Sequence, residues 1–310
     1  MSSSALTPVK QVATQARSSS RRLALASTQE KNDALHRIAD QLIAQMDEIL
    51  AANAQDCADA RESIAKGTLS QSLYARLVLD KTKVASMAEQ VRAVAELPDP
   101  VGRTLDTTVL DDGLLLTKIS CPIGVLAVIF ESRPDAMTQI GALAIKSANA
   151  VIMKGGTEAA RTNQSLLRVF RTALSEPSAV ASDCVQLLTQ REEINEILAL
   201  DELIDLVIPR GSSALVRHIQ HNTKIPVMGH AEGICHVYLD QSAQLDAAIA
   251  IVLDSKLQYV AACNAVETLL VHQDAAPRLL RQVLSSLIDA DVELRACERT
   301  RELLPDLDLV

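Results

Sequence analysis

Pro122-Ile-Gly-Val-Leu-Ala-Val-Ile-Phe-Glu-Ser-Arg-Pro134 holds six consecutive apolar residues, 125–130, between a glycine and a polar turn. An apolar run of this length without alternation reads as a strand buried on both faces, the habit of strands in parallel sheets. Toward the C-terminus, a helical stretch over 134–148 leads to a second apolar run at 150–153. A helix at 157–175, a run at 185–188, a helix at 191–200, a run at 204–208 and a helix at 212–221 continue the alternation. Strand and helix in turn predict βαβ units around a parallel sheet. A run at 234–239, a helix at 243–256, a small-residue loop around Cys263, a run at 267–272 and a helix at 275–289 predict the start of a second α/β unit.

Toward the N-terminus, residues 104–110 and 114–119 flank Asp111-Asp112-Gly113, a hairpin turn signal. A hairpin of two strands is marginal alone in water. The first hundred residues predict helices. Ser27-Thr-Gln-Glu30 has capping-box spacing, and Leu35, Ile38, Leu42, Ile43, Met46, Ile49 and Leu50 recur at helical intervals, so one long amphipathic helix is expected there. Residues 68–97 repeat the period until Leu97-Pro98 breaks it.

A chain of 310 residues can hold two domains and bury about 75% of its unfolded surface. With no Trp, three Tyr and two Phe, its core is aliphatic. The net charge of −9 argues against nucleic acid and anionic membranes, because phosphate binding relies on Lys and Arg. The longest apolar run falls far short of the ~20 residues of a membrane helix. Arg17-Ser-Ser-Ser-Arg-Arg22 lies in an acid-poor stretch that a transit peptide could also show. The six Cys have no C-x-x-C spacing, so neither a zinc site nor a disulfide framework is supported, and reduced thiols in a cytosol fit best.

Four segments carry chemistry. The 122–134 stretch is followed by Ala150-Val-Ile-Met-Lys-Gly-Gly-Thr-Glu-Ala159; then come Ile208-Pro-Arg-Gly-Ser-Ser213, Pro226-Val-Met-Gly-His-Ala-Glu-Gly-Ile-Cys-His-Val-Tyr238 and Gln258-Tyr-Val-Ala-Ala-Cys-Asn-Ala-Val-Glu-Thr-Leu-Leu-Val271. In this order they resemble the γ-glutamyl phosphate reductases of the aldehyde dehydrogenase superfamily, over nearly the whole chain.

The resemblance implies an aldehyde dehydrogenase-like α/β fold. Residues 1–103 and 120–236 would form a Rossmann-type NADP-binding domain, 104–119 an oligomerisation hairpin, and 237–310 a truncated catalytic domain. It also implies NADPH-dependent reduction of L-glutamyl 5-phosphate to the semialdehyde and phosphate, the second step of proline biosynthesis. A cytoplasmic homo-oligomer with a functional link to glutamate 5-kinase is expected. The family pattern runs on beyond Val310, so this chain by itself is expected to bind NADPH weakly and not to turn over. A catalytically impaired or interacting protein of this fold, or a CoA-acylating or hydrolytic aldehyde dehydrogenase, is the alternative.

Reducing an acyl phosphate requires a nucleophile, a hydride donor and donors for the developing oxyanion. Taken alone, Cys263 before an apolar strand reads equally as a small buried hydrophobe; the resemblance makes it the nucleophile that forms a thioester. Its backbone N–H and Ser132, aligned with an oxyanion-hole Asn of related enzymes, would hold the oxyanion, with Asn264 assisting; Ser132 also reads as a surface turn residue. Arg133 could grip the carboxylate or phosphate of the substrate, or pair with Glu131 as a helix-start residue.

Lys154 matches the superfamily lysine on the adenosine ribose, or is a solvated strand-end residue. Gly155-Gly156-Thr157 beside it leaves room for a 2′-phosphate, which favours NADPH. Gly211-Ser212 opens a helix whose N–H groups would meet the pyrophosphate. His230 stands where thioester-hydrolysing relatives carry a Glu base, which favours reduction over aldehyde oxidation. The other histidines show no ligand spacing.

Overall fold

The computed structural model describes residues 7–131, 133–176, 178–229, 233–260, 262 and 264–310, without the side chain of Ser72. Two compact units divide the chain, residues 1–230 and 231–310.

In the first unit, α1 (Pro8–Leu23) begins at a Thr7 cap with Pro at its first position. The basic 17–22 stretch therefore lies inside this helix. Ser27 and Glu30 form a reciprocal capping box that starts α2 (Thr28–Ala44). The single helix expected beyond it divides at Gln45, whose φ of −100° and ψ of 17° turn the chain into α3 (Met46–Ala65). The 68–97 stretch likewise divides, into α4 (Gln71–Leu77) and α5 (Lys81–Glu96). The break has a cause outside that segment: buried Asn53 donates to Leu77 O at 3.0 Å and accepts from Leu79 N at 2.8 Å, clamping both sides of Val78, whose backbone is extended.

β1 (Thr104–Asp111) and β2 (Leu114–Ile119) form an antiparallel hairpin turning at Gly113, with φ +74°. Every residue of both strands is exposed. Next come β3 (Val125–Phe130), α6 (Pro134–Lys146), β4 (Ala150–Lys154), α7 (Ala160–Ala173), β5 (Val185–Leu188), α8 (Glu193–Leu198), β6 (Leu206–Arg210) and α9 (Ser213–His221). The sheet is parallel with order β5-β4-β3-β6.

Because the connections through α6 and α7 run one way across the sheet and that through α8 runs back, crossovers of the usual hand put α6 and α7 on one face and α8 on the other. α1 packs on β4 and α8, whereas α2 and α3 cover α7 and α5 covers α2 and α6. All six residues of β3 are buried, as an unbroken apolar run requires. Asp205 locks the N-terminal edge: Oδ2 accepts from Val125 N at 2.7 Å, and Arg17 on α1 pairs with the same carboxylate at 2.8 Å.

In the second unit, β7 (His236–Leu239) and β8 (Thr268–Val271) are parallel and joined through α10 (Leu245–Leu257), with α11 (Ala276–Ile288) and α12 (Glu298–Leu303) following. Leu239, Val252, Leu280, Val283, Leu284 and Leu287 make its core. Two parallel strands leave both edges unpaired within the described residues.

Candidate functional site

Parallel registry aligns three strand ends in the first unit. Ile129 of β3 sits opposite Lys154 of β4, and Phe130 opposite Arg210 of β6. The chain moves from β3 to β4 and β5 on one side, then returns to β6 on the other, so strand order reverses between β3 and β6. A crevice outside the carboxyl ends at such a switch point is where open α/β sheets bind ligands. Lys154, Gly155, Gly211, Ser212 and Arg133 all lie at this edge.

Lys154 is 6% exposed, not a solvated strand-end residue. Its Nζ donates to Gly155 O at 2.5 Å. Burial pushes the ammonium below the usual lysine range, opposed through space by Glu158 and Glu193. A methyl on Gly155 would overlap the Asn163 amide and crowd the Phe130 ring at 3.1 Å, so the turn after β4 admits no side chain. Thr157 Oγ1 donates to Glu158 Oε2 at 3.4 Å, and the Glu158 carboxylate folds back over Gly156. An acid thus stands at a turn whose Gly155-Gly156-Thr157 sequence reads as acid-free.

Ser212 caps α9, its Oγ accepting from Leu215 N at 3.4 Å. The Ser212 amide donates to Glu131 Oε1 at 3.1 Å, and a methyl on Gly211 would meet the same oxygen at 2.8 Å. Glu131 therefore places a carboxylate where a helix N-terminus attracts anions. Arg133 is 59% exposed and pairs with Asp135 at 3.2 Å, across the first turn of α6 rather than with Glu131. Asn264 is exposed, in the turn before β8. Cys263, Ser132 and His230 lie outside the described residues.

Two residues of this edge carry no sequence signal of their own. Glu131 enters the site because β3 and β6 are neighbours, and Asn163 because the first turn of α7 folds beneath Gly155. Sequence spacing of about 80 residues between Glu131 and Ser212 is visible only after the sheet order is known. The residues fit a dinucleotide: a buried lysine at a strand end, two glycines where any Cβ would clash, and the N-terminus of a nine-residue helix at the switch point.

The chain belongs to the aldehyde dehydrogenase family, which its sequence matches over residues 2–294. Within that family its likeness runs to the γ-glutamyl phosphate reductases. It is 49% identical over 292 residues to the one from Synechococcus sp. strain JA-3-3Ab, covering 94% of this chain and 64% of that protein. It is 46% identical over 297 residues to the one from Acetivibrio thermocellus, covering 96% and 68%. The crystal structure of γ-glutamyl phosphate reductase from Thermotoga maritima matches with a TM-score of 0.89 at 35% identity, over 97% of this chain and 72% of that one. The glyceraldehyde-3-phosphate dehydrogenase of Methanocaldococcus jannaschii, complexed with NADP, shares the fold at 17% identity and TM-score 0.63, over 93% and 59%. The chain thus spans 64% to 68% of the length of these two curated relatives. Members of the family bind nicotinamide dinucleotides.

Proposed function

We propose that this chain carries the dinucleotide site and the nucleophile of an NADPH-dependent reductase that converts L-glutamyl 5-phosphate to L-glutamate 5-semialdehyde and phosphate. The observation that supports it most is the buried Lys154 at the end of β4, beside a switch point, in a chain about half identical to γ-glutamyl phosphate reductases. In this reading the Cys263 thiolate attacks the acyl carbon, and its electron pair forms the C–S bond of a tetrahedral oxyanion. The Cys263 N–H, the Ser132 hydroxyl and the Asn264 amide donate to that oxyanion. Its collapse breaks the C–O bond to phosphate and leaves a thioester. A nicotinamide dinucleotide held at Lys154 and Ser212 would supply the hydride that reduces the thioester carbon; the thiohemiacetal oxyanion left on Cys263 collapses to the aldehyde and the free thiolate.

Arg133 offers a guanidinium to the carboxylate or phosphate of the substrate, once it leaves Asp135. Lys154 and Gly155 hold the ribose, and Gly211 and Ser212 the pyrophosphate. An acyl phosphate is made by phosphorylating a carboxylate and is short-lived in water, which is the reason for a functional link to glutamate 5-kinase. The protein is read as a cytoplasmic homo-oligomer joined through the β1–β2 hairpin. Among the described residues no helix is long and apolar enough to cross a membrane.

The reverse reaction tests this reading: semialdehyde, phosphate and either NADP⁺ or NAD⁺ are incubated with a form of the protein that spans the whole length of its relatives, and formation of reduced nucleotide is followed by absorbance. Phosphate-dependent reduction with NADP⁺ preferred is the expected result. Reduction that proceeds without phosphate would assign a hydrolytic aldehyde dehydrogenase instead, and preference for NAD⁺ would show that Glu158 governs the ribose.

A further inference from the structure

Lys154 and Asn163 face the same residue, Gly155, from two elements. The Lys154 ammonium has three donors, and Gly155 O takes one of them. Around it stand Glu158 after the β4 turn, Arg191 and Glu192 before α8, and Glu193 on α8 itself. Asn163, in the first turn of α7, is 2% exposed, and its amide nitrogen abuts Gly155 so closely that no methyl fits between them. Its Oδ1 has no hydrogen-bond partner, and is the one buried side-chain nitrogen or oxygen so left among the described residues. A buried acceptor with nothing on it is unfavourable unless another state of the protein supplies a donor.

Asn163 is also firmly placed. No residue of the α7 N-terminus caps that helix. Asp56 of α3 does so instead, its 2%-exposed carboxylate accepting from Thr162 N at 2.8 Å, Thr162 Oγ1 at 2.7 Å and Arg161 N at 3.3 Å. Asn53, one turn earlier on α3, donates to Thr162 Oγ1 at 3.2 Å. The residue next to Thr162 is thereby held against the Gly155 backbone while the rest of the α7 face packs on α2 and α3.

We propose that Asn163 is a positioning residue of the cofactor site, whose Oδ1 receives the Lys154 ammonium and steadies it when that ammonium engages a dinucleotide ribose. This rests on the reading of Lys154 as the ribose contact. Asn163 itself lies behind Gly155 and acts on the nucleotide only through Lys154. Coupling between the two side chains is therefore the property to measure, because residues that act through one another give non-additive double mutants.

The experiment titrates the protein with NADPH, by nucleotide fluorescence, for wild type, Lys154→Ala, Asn163→Ala, Asn163→Asp and Lys154→Ala/Asn163→Ala, with thermal melts alongside. Asn163→Ala is expected to weaken NADPH about tenfold, ~1.4 kcal/mol, and the double variant to bind no more weakly than Lys154→Ala alone. Asn163→Asp, of nearly the same shape, is expected to move the alkaline loss of binding to higher pH, since a carboxylate at this point favours the charged lysine. If Asn163→Ala fails to fold, the cycle with Asn163→Asp and its pH profile decide the matter. Effects that add fully in the double variant, or an Asn163→Asp profile that does not move, overturn the proposal and leave Asn163 a packing residue. A Lys154→Ala variant that binds NADPH like wild type overturns the ribose reading of Lys154 and this proposal with it.

Discussion

Cysteines separate by environment at the scale of single residues. Burial pushes the Cys184 thiol up to about 12 and also raises Cys57, so neither is a thiolate at neutral pH. Cys297, exposed at the start of α12, is lowered chiefly by its contact with the Thr300 hydroxyl at 3.4 Å. Alkylation with iodoacetamide will therefore mark Cys297 as well as any reactive thiol, and labelling alone does not identify a nucleophile. In a form that spans the whole length of its relatives, Cys263→Ala is expected to bring turnover below about 1% of wild type while NADPH still binds, because the thiol is needed only for the covalent step; reverse-reaction rates paired with nucleotide titration check this. Lys154→Ala is expected to raise the KM for NADPH more than it lowers kcat, since a ribose contact contributes mostly uniform binding. The lysine pKa is depressed by burial, so its charge is lost on raising the pH earlier than for an exposed lysine. NADPH affinity should fall through that alkaline range in wild type and show no such limb in Lys154→Ala.

Single elements meet the chemistry through their ends. β3 delivers Glu131 and β6 delivers Ser212, and the carboxylate occupies the amide that a pyrophosphate would seek. A dinucleotide that uses this helix end must displace Glu131 or share the amide with it. Glu131→Gln removes a negative charge from the N-terminus of α9 and is expected to tighten NADPH about threefold, an effect of the size of one exposed charge near a helix end. Calorimetric titration at two salt concentrations tests it: the gain should shrink with salt, and equal affinities of the two proteins at low salt would remove Glu131 from the site. The helices teach a second lesson about elements. The apolar spacing from Leu35 to Leu50 continues across Gln45 without a signal that the chain turns there, and the 68–97 period hides the extended link at Val78. That link is held by Asn53, more than twenty residues upstream, so local periodicity had no access to it.

On the scale of the molecule, the hairpin and the open edges govern association. Leu105, Val109, Leu115 and Leu116 are each more than half exposed on a two-stranded ribbon that lacks a covering layer among the described residues. Such a surface favours association. Light scattering on the purified protein is expected to show an oligomer, and Leu115→Lys with Leu116→Lys to shift it toward monomer with the melting temperature of the first unit little changed; an oligomer unaffected by both would place the contact elsewhere. The α/β class, the six residues of β3, the hairpin bounds at 114–119, the Ser27 cap and the stations of Lys154, Gly211 and Ser212 could all be read from the sequence. Each is a local matter: an apolar period, a turn residue, a strand end. What only the tertiary structure decided is which strand ends share an edge, that a carboxylate 81 residues away sits on the Ser212 amide, and that Asp56 caps α7 across more than a hundred residues. The physical reason is that hydrogen bonds and buried charges between distant segments depend on sheet order and helix packing, which collect many weak preferences from the whole chain, whereas strand and helix periods are set by burial within a few neighbouring residues.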